Sequence, residues 1–134
     1  MTPAVQAVLD NRARIVLPWN AEADLRSGAV PDRLALVLSA LAVNWRLDVH
    51  AIRTGHPGDF FYPGQVLGHA QALAVDIRAL DGIPVLDQEF SAWKACMQAG
   101  LAAGAVRAIG PQNIGRFTAT DDAHKDHVHL DLVV

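Results

Sequence analysis

The sequence predicts an α+β fold in which helices pack on a mostly antiparallel sheet. Two kinds of periodicity lead to this prediction. Residues 46–53 and 72–80 alternate apolar and polar side chains, as does the end of the chain, and this alternation is typical of strands. Residues 32–44 and 86–103 instead repeat apolar side chains at helical spacing. The elements follow the order helix, helix, strand, strand, helix, strand, strand, which favours helices segregated from strands.

The elements before residue 54 are mostly short. They are predicted to be a helix at 3–12, a strand at 14–17, a helix at 20–26, a helix at 32–44 and a strand at 46–53. Asn20 is predicted to cap the second helix. Pro31 precedes the third, where the missing N–H of a proline is tolerated. This third helix is expected to lie against the sheet.

The second half of the chain continues the alternation of strands and helices. After the strand at 72–80, Asp81-Gly82 predicts either a hairpin turn or the exit from the sheet. A long helix at 86–103 is predicted from the stripe Phe90, Trp93, Met97 and Leu101, and short strands are predicted at 105–109 and 116–118. Between the two long strands, Phe60-Phe61-Tyr62 lies in a turn-rich loop that either shapes a pocket or covers a sheet edge.

Composition excludes several classes of function. The net charge of −3 argues against nucleic-acid binding, and against a nuclease, because both need clustered Lys and Arg. The apolar residues 34–43 are too few to span a bilayer, and no secretory signal is predicted at the N-terminus. The single cysteine, Cys96, allows no intrachain disulfide. Low charge combined with positive mean hydropathy favours a surface partly covered by other subunits.

The closing stretch of the chain concentrates the histidines. Because successive side chains of a strand point to opposite faces, His127, His129 and Asp131 are predicted to share one face. The apolar residues between them, Val128, Leu130 and Leu132, then face the core. Two histidines one residue apart on a strand place two imidazoles side by side, which provides half of a metal site.

The other half is predicted upstream, at residues 68–77. Ala74 and Asp76 alternate there with Leu73, Val75 and Ile77, so this strand also has an apolar face and a face that ends in a carboxylate. If the two strands pair, His69, Asp76 and His129 converge. Two imidazoles, one carboxylate and an open fourth position are typical of catalytic zinc. The alternative for each histidine is an ordinary polar residue at a strand end.

These residues resemble a group of zinc peptidases. The group includes D-alanyl-D-alanine carboxypeptidases, L-alanyl-D-glutamate endolysins and penicillin-insensitive murein endopeptidases, and its fold is shared with the Hedgehog signalling domain. Its pattern is Ser-x-His-x-x-Gly-x-Ala-x-Asp followed by a late histidine ligand. His69, Ala74, Asp76 and His129 match it, whereas Leu67 stands where Ser is usual and Ala72 where Gly is usual. The spacing His124-x-x-His127-x-His129 resembles the murein endopeptidase branch, and the likeness covers about residue 53 to the C-terminus.

The resemblance implies roles for the remaining polar residues. One Zn²⁺ would be held by His69, Asp76 and His129. The general base would be His127 in the endopeptidase branch or Asp126 in the carboxypeptidase branch, where a glutamate is usual. We favour His127 because it shares a face with His129. Arg53 is the nearest candidate for a substrate-holding arginine, although a structural ion pair is its alternative. His124 is expected to contact substrate or to support the ligands.

The sequence therefore predicts a single zinc peptidase-like domain at 1–134, with two alternative functions. The first is zinc-dependent hydrolysis of a peptide bond in the peptidoglycan stem. The second is a zinc-stabilised structural or binding module, catalytically weak or inactive, in a phage-tail-like or secretion assembly. The departures at Leu67, Ala72 and Asp126 favour this second function. Without a signal peptide, the protein is expected to be made in the cytoplasm and to reach the wall by lysis or on a phage-type particle, whose other subunits would be its partners.

Overall fold

A computed structural model describes residues 1–54 and 71–133 of the chain. The helices in this part are α1 (Pro3–Asp10), α2 (Trp19–Arg26), α3 (Asp32–Ala42) and α4 (Trp93–Ala103). The strands are β1 (Ile15–Val16), β2 (Leu47–Ala51), β3 (Ala74–Leu80), β4 (Ile83–Pro84), β5 (Arg107–Ile109), β6 (Thr118–Ala119) and β7 (Val128–Asp131). A 3₁₀ turn at Asp122–His124 precedes β7. None of the helices in the described part has both the length and the apolar character needed to cross a bilayer.

Within the described residues, seven strands form one sheet in the order β1-β2-β3-β7-β5-β6, and β4 also pairs with β3. The central pairs β2/β3, β3/β7 and β7/β5 are antiparallel. The outer pairs β1/β2 and β5/β6 are parallel. The predicted α+β class is confirmed, but the prediction of a mostly antiparallel sheet is wrong, because the sheet is mixed.

The direction of the outer strands could not be predicted from alternation, which defines the faces of a strand but not its partner. β1 and β6 have two residues each. The chain between β1 and β2 contains α2 and α3, and a connection of this length allows the parallel pairing. The predicted turn at Asp81-Gly82 is confirmed as a hairpin between β3 and β4. Its φ angles of 53° and 78° are those of the hairpin turn that twists with its strands.

The hydrophobic core lies on the apolar face of the two long central strands. Val75 and Ile77 of β3 belong to it, together with Val128 and Leu130 of β7, as the alternation predicts. Helix α4 packs closely on this face. A Cβ on Gly100 would lie 2.6 Å from Leu130 Cδ2, so glycine permits the close approach. The polar residues of β3 and β7 consequently face away from α4.

Helix α4 starts later than predicted. Residues 85–92 form turns in which Asp87 N–H donates to Pro84 O and Phe90 N–H to Asp87 O. The Trp93 indole N–H donates to Gln88 O at 2.9 Å and ties these turns to the helix start. Phe90 is 68% exposed, so its predicted place in the buried stripe is wrong, whereas Trp93 and Met97 are buried. The aromatic residue fitted the helical period without belonging to the helix.

Helix α2 supports the end of β2 through two side chains. Asn20 does not cap the helix, because Pro18 occupies the N-cap, and its amide instead donates to His50 O and Thr54 O. The buried Asp24 carboxylate accepts hydrogen bonds from Arg53 N–H (2.9 Å), Thr54 N–H (2.7 Å) and Thr54 Oγ1 (2.6 Å). These bonds hold the backbone at the point where β2 ends.

Ala72 has an unusual backbone just before β3. Its φ is +56°, in the left-handed region that glycine adopts more readily than an L-residue with a side chain. Ala72 is also buried, as is Ala74, which lies two residues on with extended strand geometry. The two alanines therefore form a natural pair for comparison.

We expect Ala72→Gly to change the free energy of unfolding by less than about 1 kcal/mol. Relief of about 1–2 kcal/mol of left-handed strain offsets the lost methyl burial and the greater backbone freedom of glycine. Ala74→Gly loses the same methyl burial and gains the same backbone freedom, but it relieves no strain. It should therefore destabilise the fold by about 1.5–2 kcal/mol. Urea unfolding of both variants measures the difference. Equal destabilisation at the two positions would contradict the assigned geometry of Ala72.

Candidate metal centre

The pairing of β3 with β7 brings Asp76 and His129 together. Their Cα atoms are register partners in the antiparallel ladder, and Ile109 of β5 is the partner of His129 on its other side. The predicted pairing of the two polar strands is therefore confirmed. Because directly paired residues of antiparallel strands point to the same face, both side chains lie opposite the apolar core.

The Asp76 carboxylate is the point on which two imidazoles converge. His129 Nδ1 lies 3.1 Å from Asp76 Oδ1, and His127 Nε2 lies 3.6 Å from the same oxygen. Asp76 is 2% exposed and His129 6% exposed, so the contact is nearly dry. Two of the three predicted ligands, Asp76 and His129, are thus in contact. The third, His69, lies outside the described residues, as do Leu67 and the aromatic group at 60–62.

Each histidine of the closing motif has its own aspartate. His124 Nδ1 lies 2.6 Å from Asp121 Oδ1, His127 Nδ1 lies 2.8 Å from Asp126 Oδ1, and His129 Nε2 lies 3.2 Å from Asp131 Oδ2. Local geometry explains the three spacings. The first pair spans the 3₁₀ turn, the second is adjacent in sequence, and the third shares a strand face. A carboxylate on one ring nitrogen sets the tautomer and orientation of an imidazole and is the usual support of a metal-binding histidine.

The three imidazoles form a compact group. The ring centroids of His124 and His127 are 4.8 Å apart, and those of His124 and His129 are 5.5 Å apart. The turn that carries them is anchored by Lys125, whose Nζ donates to Pro111 O at 3.0 Å and to Thr120 Oγ1 at 3.1 Å. Burial lowers the pKa of His124, although its hydrogen bond with Asp121 acts in the opposite direction. Both predicted roles of His124, support of the ligands and contact with substrate, stay predictions.

The charges around His129 are those of a site for a cation. Burial alone lowers the pKa of His129, but the hydrogen bonds to Asp131 and Asp76 outweigh it and raise the pKa to about 9. Burial raises the pKa of Asp131, but the hydrogen bonds from His129 and from Val133 N–H reverse this and lower it overall. At neutral pH the metal-free ring is therefore a buried cation between two carboxylates. A divalent metal ion would replace its proton on Nδ1 and keep the bond from Nε2 to Asp131.

The two predicted ligands that the structure describes are separated by a distance suitable for zinc. With bond lengths of about 2.0–2.1 Å, tetrahedral zinc holds its ligand atoms about 3.3 Å apart. The observed 3.1 Å between His129 Nδ1 and Asp76 Oδ1 is close to that separation. Among residues 1–54 and 71–133, no group of three or more His, Cys, Asp or Glu side chains is arranged to hold a metal ion. The third predicted ligand, His69, lies outside these residues.

The two predicted bases, Asp126 and His127, contact each other in the structure. Asp126 and His127 were alternatives in the sequence, yet the Asp126 carboxylate lies on His127 Nδ1 at 2.8 Å. This hydrogen bond lowers the pKa of Asp126. The opposite ring nitrogen of His127 is the one near Asp76. The arrangement is that of an imidazole oriented by a carboxylate.

Arg53 lies at the same end of the sheet as this site. It follows Ala51, the register partner of Asp76, by two residues, and its backbone N–H is held by Asp24. Its side chain is exposed. The position is compatible with the predicted substrate contact, which stays a prediction.

Sequence reasoning missed two residues of the site. Asp131 was placed on the histidine face but given no role, although its position two residues after His129 on a strand was a usable signal. His50 was placed only on the polar face of β2. Burial lowers its pKa, and the charges of Arg78 and Asp76 act on it, so it lies within electrostatic range of the centre. Only the pairing of β2 with β3 reveals this proximity.

No family model, no curated protein and no solved structure matches this chain, so the functional proposal depends on its own residues and their geometry.

Proposed function

We propose that this protein is a zinc-dependent peptidase that hydrolyses a peptide bond of the peptidoglycan stem, with His69, Asp76 and His129 as the metal ligands. The observation that carries the proposal is the buried contact of Asp76 with His129 Nδ1, while His129 Nε2 is held by Asp131. The contact pairs the charges of these buried groups, and it also places a carboxylate and an imidazole nitrogen, two common zinc ligands, side by side. The cell wall as the place of action, reached by lysis or on a phage-type particle, belongs to the same proposal.

His127 is proposed as the general base. When bound, zinc would lower the pKa of a water molecule to near neutral and polarise the scissile carbonyl. His127 Nε2 lies on the Asp76 side of its ring and would take the proton. Asp126 holds Nδ1, fixes the tautomer and stabilises the imidazolium that forms. Asp126 thus assists His127 and does not act as the base itself. Its side chain, one methylene shorter than the usual glutamate, therefore need not reach the water molecule.

The backbone of Ala72 supports the resemblance at a position where the residue itself departs from the pattern. The peptidase group usually has glycine there, and Ala72 has a φ of +56°, which glycine adopts without strain. The local conformation is therefore the one that the glycine would allow. A Hedgehog-like peptidase fold is part of the same proposal, which the pairing of β3 with β7 supports only by bringing Asp76 and His129 together.

The second candidate function is the zinc-stabilised module of a phage-tail-like or secretion assembly. It is favoured by large apolar side chains on the surface, since Trp19 and Val43 are 76% and 79% exposed. Apolar side chains mark contacts with other subunits where they form a contiguous patch. This candidate shares the metal site and differs only in lacking hydrolysis.

We expect the zinc-loaded protein to release fragments from purified muropeptides, as detected by mass spectrometry, and a chelator to abolish the release. His129→Ala should lose both the zinc and the hydrolysis, because it removes a ligand. His124→Ala is the matched control and should keep its zinc. Zinc content after dialysis, measured by atomic spectroscopy, completes the comparison.

Two results would contradict this prediction in different ways. Equal zinc in the wild type, His129→Ala and His124→Ala would exclude the proposed ligand. One zinc per chain without any hydrolysis would favour the structural module.

The base is tested by two adjacent substitutions. His127→Ala should lower the rate of hydrolysis by about 10²–10⁴-fold while keeping zinc, because it removes the proton acceptor but no ligand. Asp126→Asn should cause a smaller loss, because the imidazole remains. If Asp126→Asn were inactive and His127→Ala active, the base would be Asp126.

Stability should depend on pH in opposite ways with and without zinc. The folded pKa of His129 is about 9, above its unfolded value near 6.5. Its stabilisation of the metal-free protein is therefore complete below about pH 6.5 and lost as the pH rises through about 9. Zinc must displace this proton, so the zinc-induced gain in Tm should grow with pH and shrink toward pH 5. Melting curves with zinc and with chelator between pH 5 and 9 measure both trends, and superimposable curves at pH 7.5 would exclude the site.

A further inference from the structure

The residues of the candidate site lie on two differently supported parts of the chain. Asp76 and His129 belong to β3 and β7, and the hydrogen-bonded ladder of these strands aligns them. His127 and its partner Asp126 lie in the segment 121–127, which precedes β7, and we call this segment the histidine turn. It consists of a 3₁₀ turn followed by three residues outside any helix or strand. The ladder that aligns the predicted ligands therefore does not fix the proposed base.

Lys125 ties the histidine turn to the rest of the protein. Its Nζ donates to Pro111 O at 3.0 Å and to Thr120 Oγ1 at 3.1 Å. Pro111 is buried and lies just after β5, and Thr120 lies just after β6. Because β5 and β6 are parallel neighbours, the two acceptors lie at one edge of the sheet, and Lys125 bridges them. The Lys125 carbonyl in turn accepts a hydrogen bond from Gln88 Nε2 at 3.2 Å.

The chemistry of these contacts is that of an anchor. Lysine side chains are mostly exposed in proteins, yet Lys125 is partly buried and donates to two neutral oxygens. A hydrogen bond with a charged donor is about twice as strong as one between neutral groups. The carboxylates of Asp121 and Asp126, which are close to Lys125 in sequence, hold imidazoles instead. The acidic residues of the turn thus orient its histidines, and the lysine fixes the turn itself.

We propose that Lys125 is a positioning residue that holds His127 beside the candidate metal centre and takes no part in metal binding. This inference rests on the proposed peptidase function, in which His127 is the base. The anchor of Lys125 lies two residues before His127 and maintains the 3.6 Å between His127 Nε2 and Asp76 Oδ1. A displacement of a catalytic group by about 1 Å can cost about 10²-fold in rate. The strand ladder holds Asp76 and His129 independently of this anchor.

Substitution of the lysine separates the base from the metal. Lys125→Met keeps the length of the side chain and removes its ammonium, so kcat for muropeptide hydrolysis should fall by about 10–10²-fold while KM stays within about twofold. The zinc content after dialysis should equal that of the wild type. Lys94→Met is the matched control, because Lys94 is the only other lysine of the chain and is exposed on α4. It should keep the kcat of the wild type.

Thr120→Val tests the anchor from the acceptor side, because valine keeps the shape of threonine and removes Oγ1. The loss in kcat should be smaller, about threefold, since Pro111 O still accepts from Lys125. The double variant should lose no more than Lys125→Met alone, because both substitutions remove the same hydrogen bond. If Lys125→Met fails to fold, Thr120→Val carries the comparison of kcat with zinc content.

A spectroscopic measurement on the zinc-free protein requires no activity. The ring centroids of His124 and His129 are 5.5 Å apart in an edge-to-face arrangement, so we expect a nuclear Overhauser contact between their ring protons. This contact reports the position of the histidine turn relative to β7. Lys125→Met should lose it, whereas Lys94→Met should keep it. Backbone contacts between β3 and β7 should persist in both variants and show that the sheet is intact.

The positioning role would be overturned if Lys125→Met kept the kcat of the wild type, if it lost zinc together with kcat, or if the ring contact of His124 with His129 persisted. Chelator-sensitive hydrolysis at equal rates in the wild type and Lys125→Met would overturn this role alone. A failure of the peptidase proposal gives another pattern. The wild type would then release no fragments, yet loss of the ring contact in Lys125→Met would still support Lys125 as the anchor of the histidine turn.

Discussion

The antiparallel pairing of β3 with β7 is the constraint on which the rest of the structure depends. It brings together Asp76 and His129, which are 53 residues apart in sequence. The same register places Val75 and Ile77 beside Leu130 and Val128 on the core face. A slip of one residue in β7 would move its apolar side chains to the polar face and its histidine into the core. Burial of the apolar face therefore enforces the geometry of the candidate metal centre.

Burying this much charge requires that every charged group has a partner. Asp76, His129 and Asp131 are all buried, and an unpaired charge in that environment would cost several kcal/mol. His129 resolves this by contacting a carboxylate at each ring nitrogen. As a consequence, the imidazole of His129 is protonated when no metal is present. The two carboxylates therefore enclose a single positive charge in the metal-free protein.

Asp131 links the candidate metal centre with Arg107 of β5. One carboxylate contacts His129 through Oδ2, receives Arg107 at the same oxygen and accepts Val133 N–H at Oδ1. At the end of the sheet where the candidate site lies, Asp24 and Asn20 of α2 hold the last residues of β2. The site is therefore supported on rigid elements from both sides.

The sequence by itself determined the local features. Alternation in the last strand placed His129 on one face and Leu130 on the other, and the same reasoning placed Asp76, because side-chain direction in a strand depends only on position along it. The tertiary structure alone decided what is non-local. The parallel direction of β1 and β6, the pairing of Arg107 with Asp131 and the proximity of His50 all depend on which strands lie side by side. Helical patterns have a similar limit. Phe90 fits the apolar period of the predicted helix, yet it is exposed and lies in the turns before α4. A periodic pattern specifies the face of an element, whereas its ends and partners depend on contacts between residues far apart in sequence.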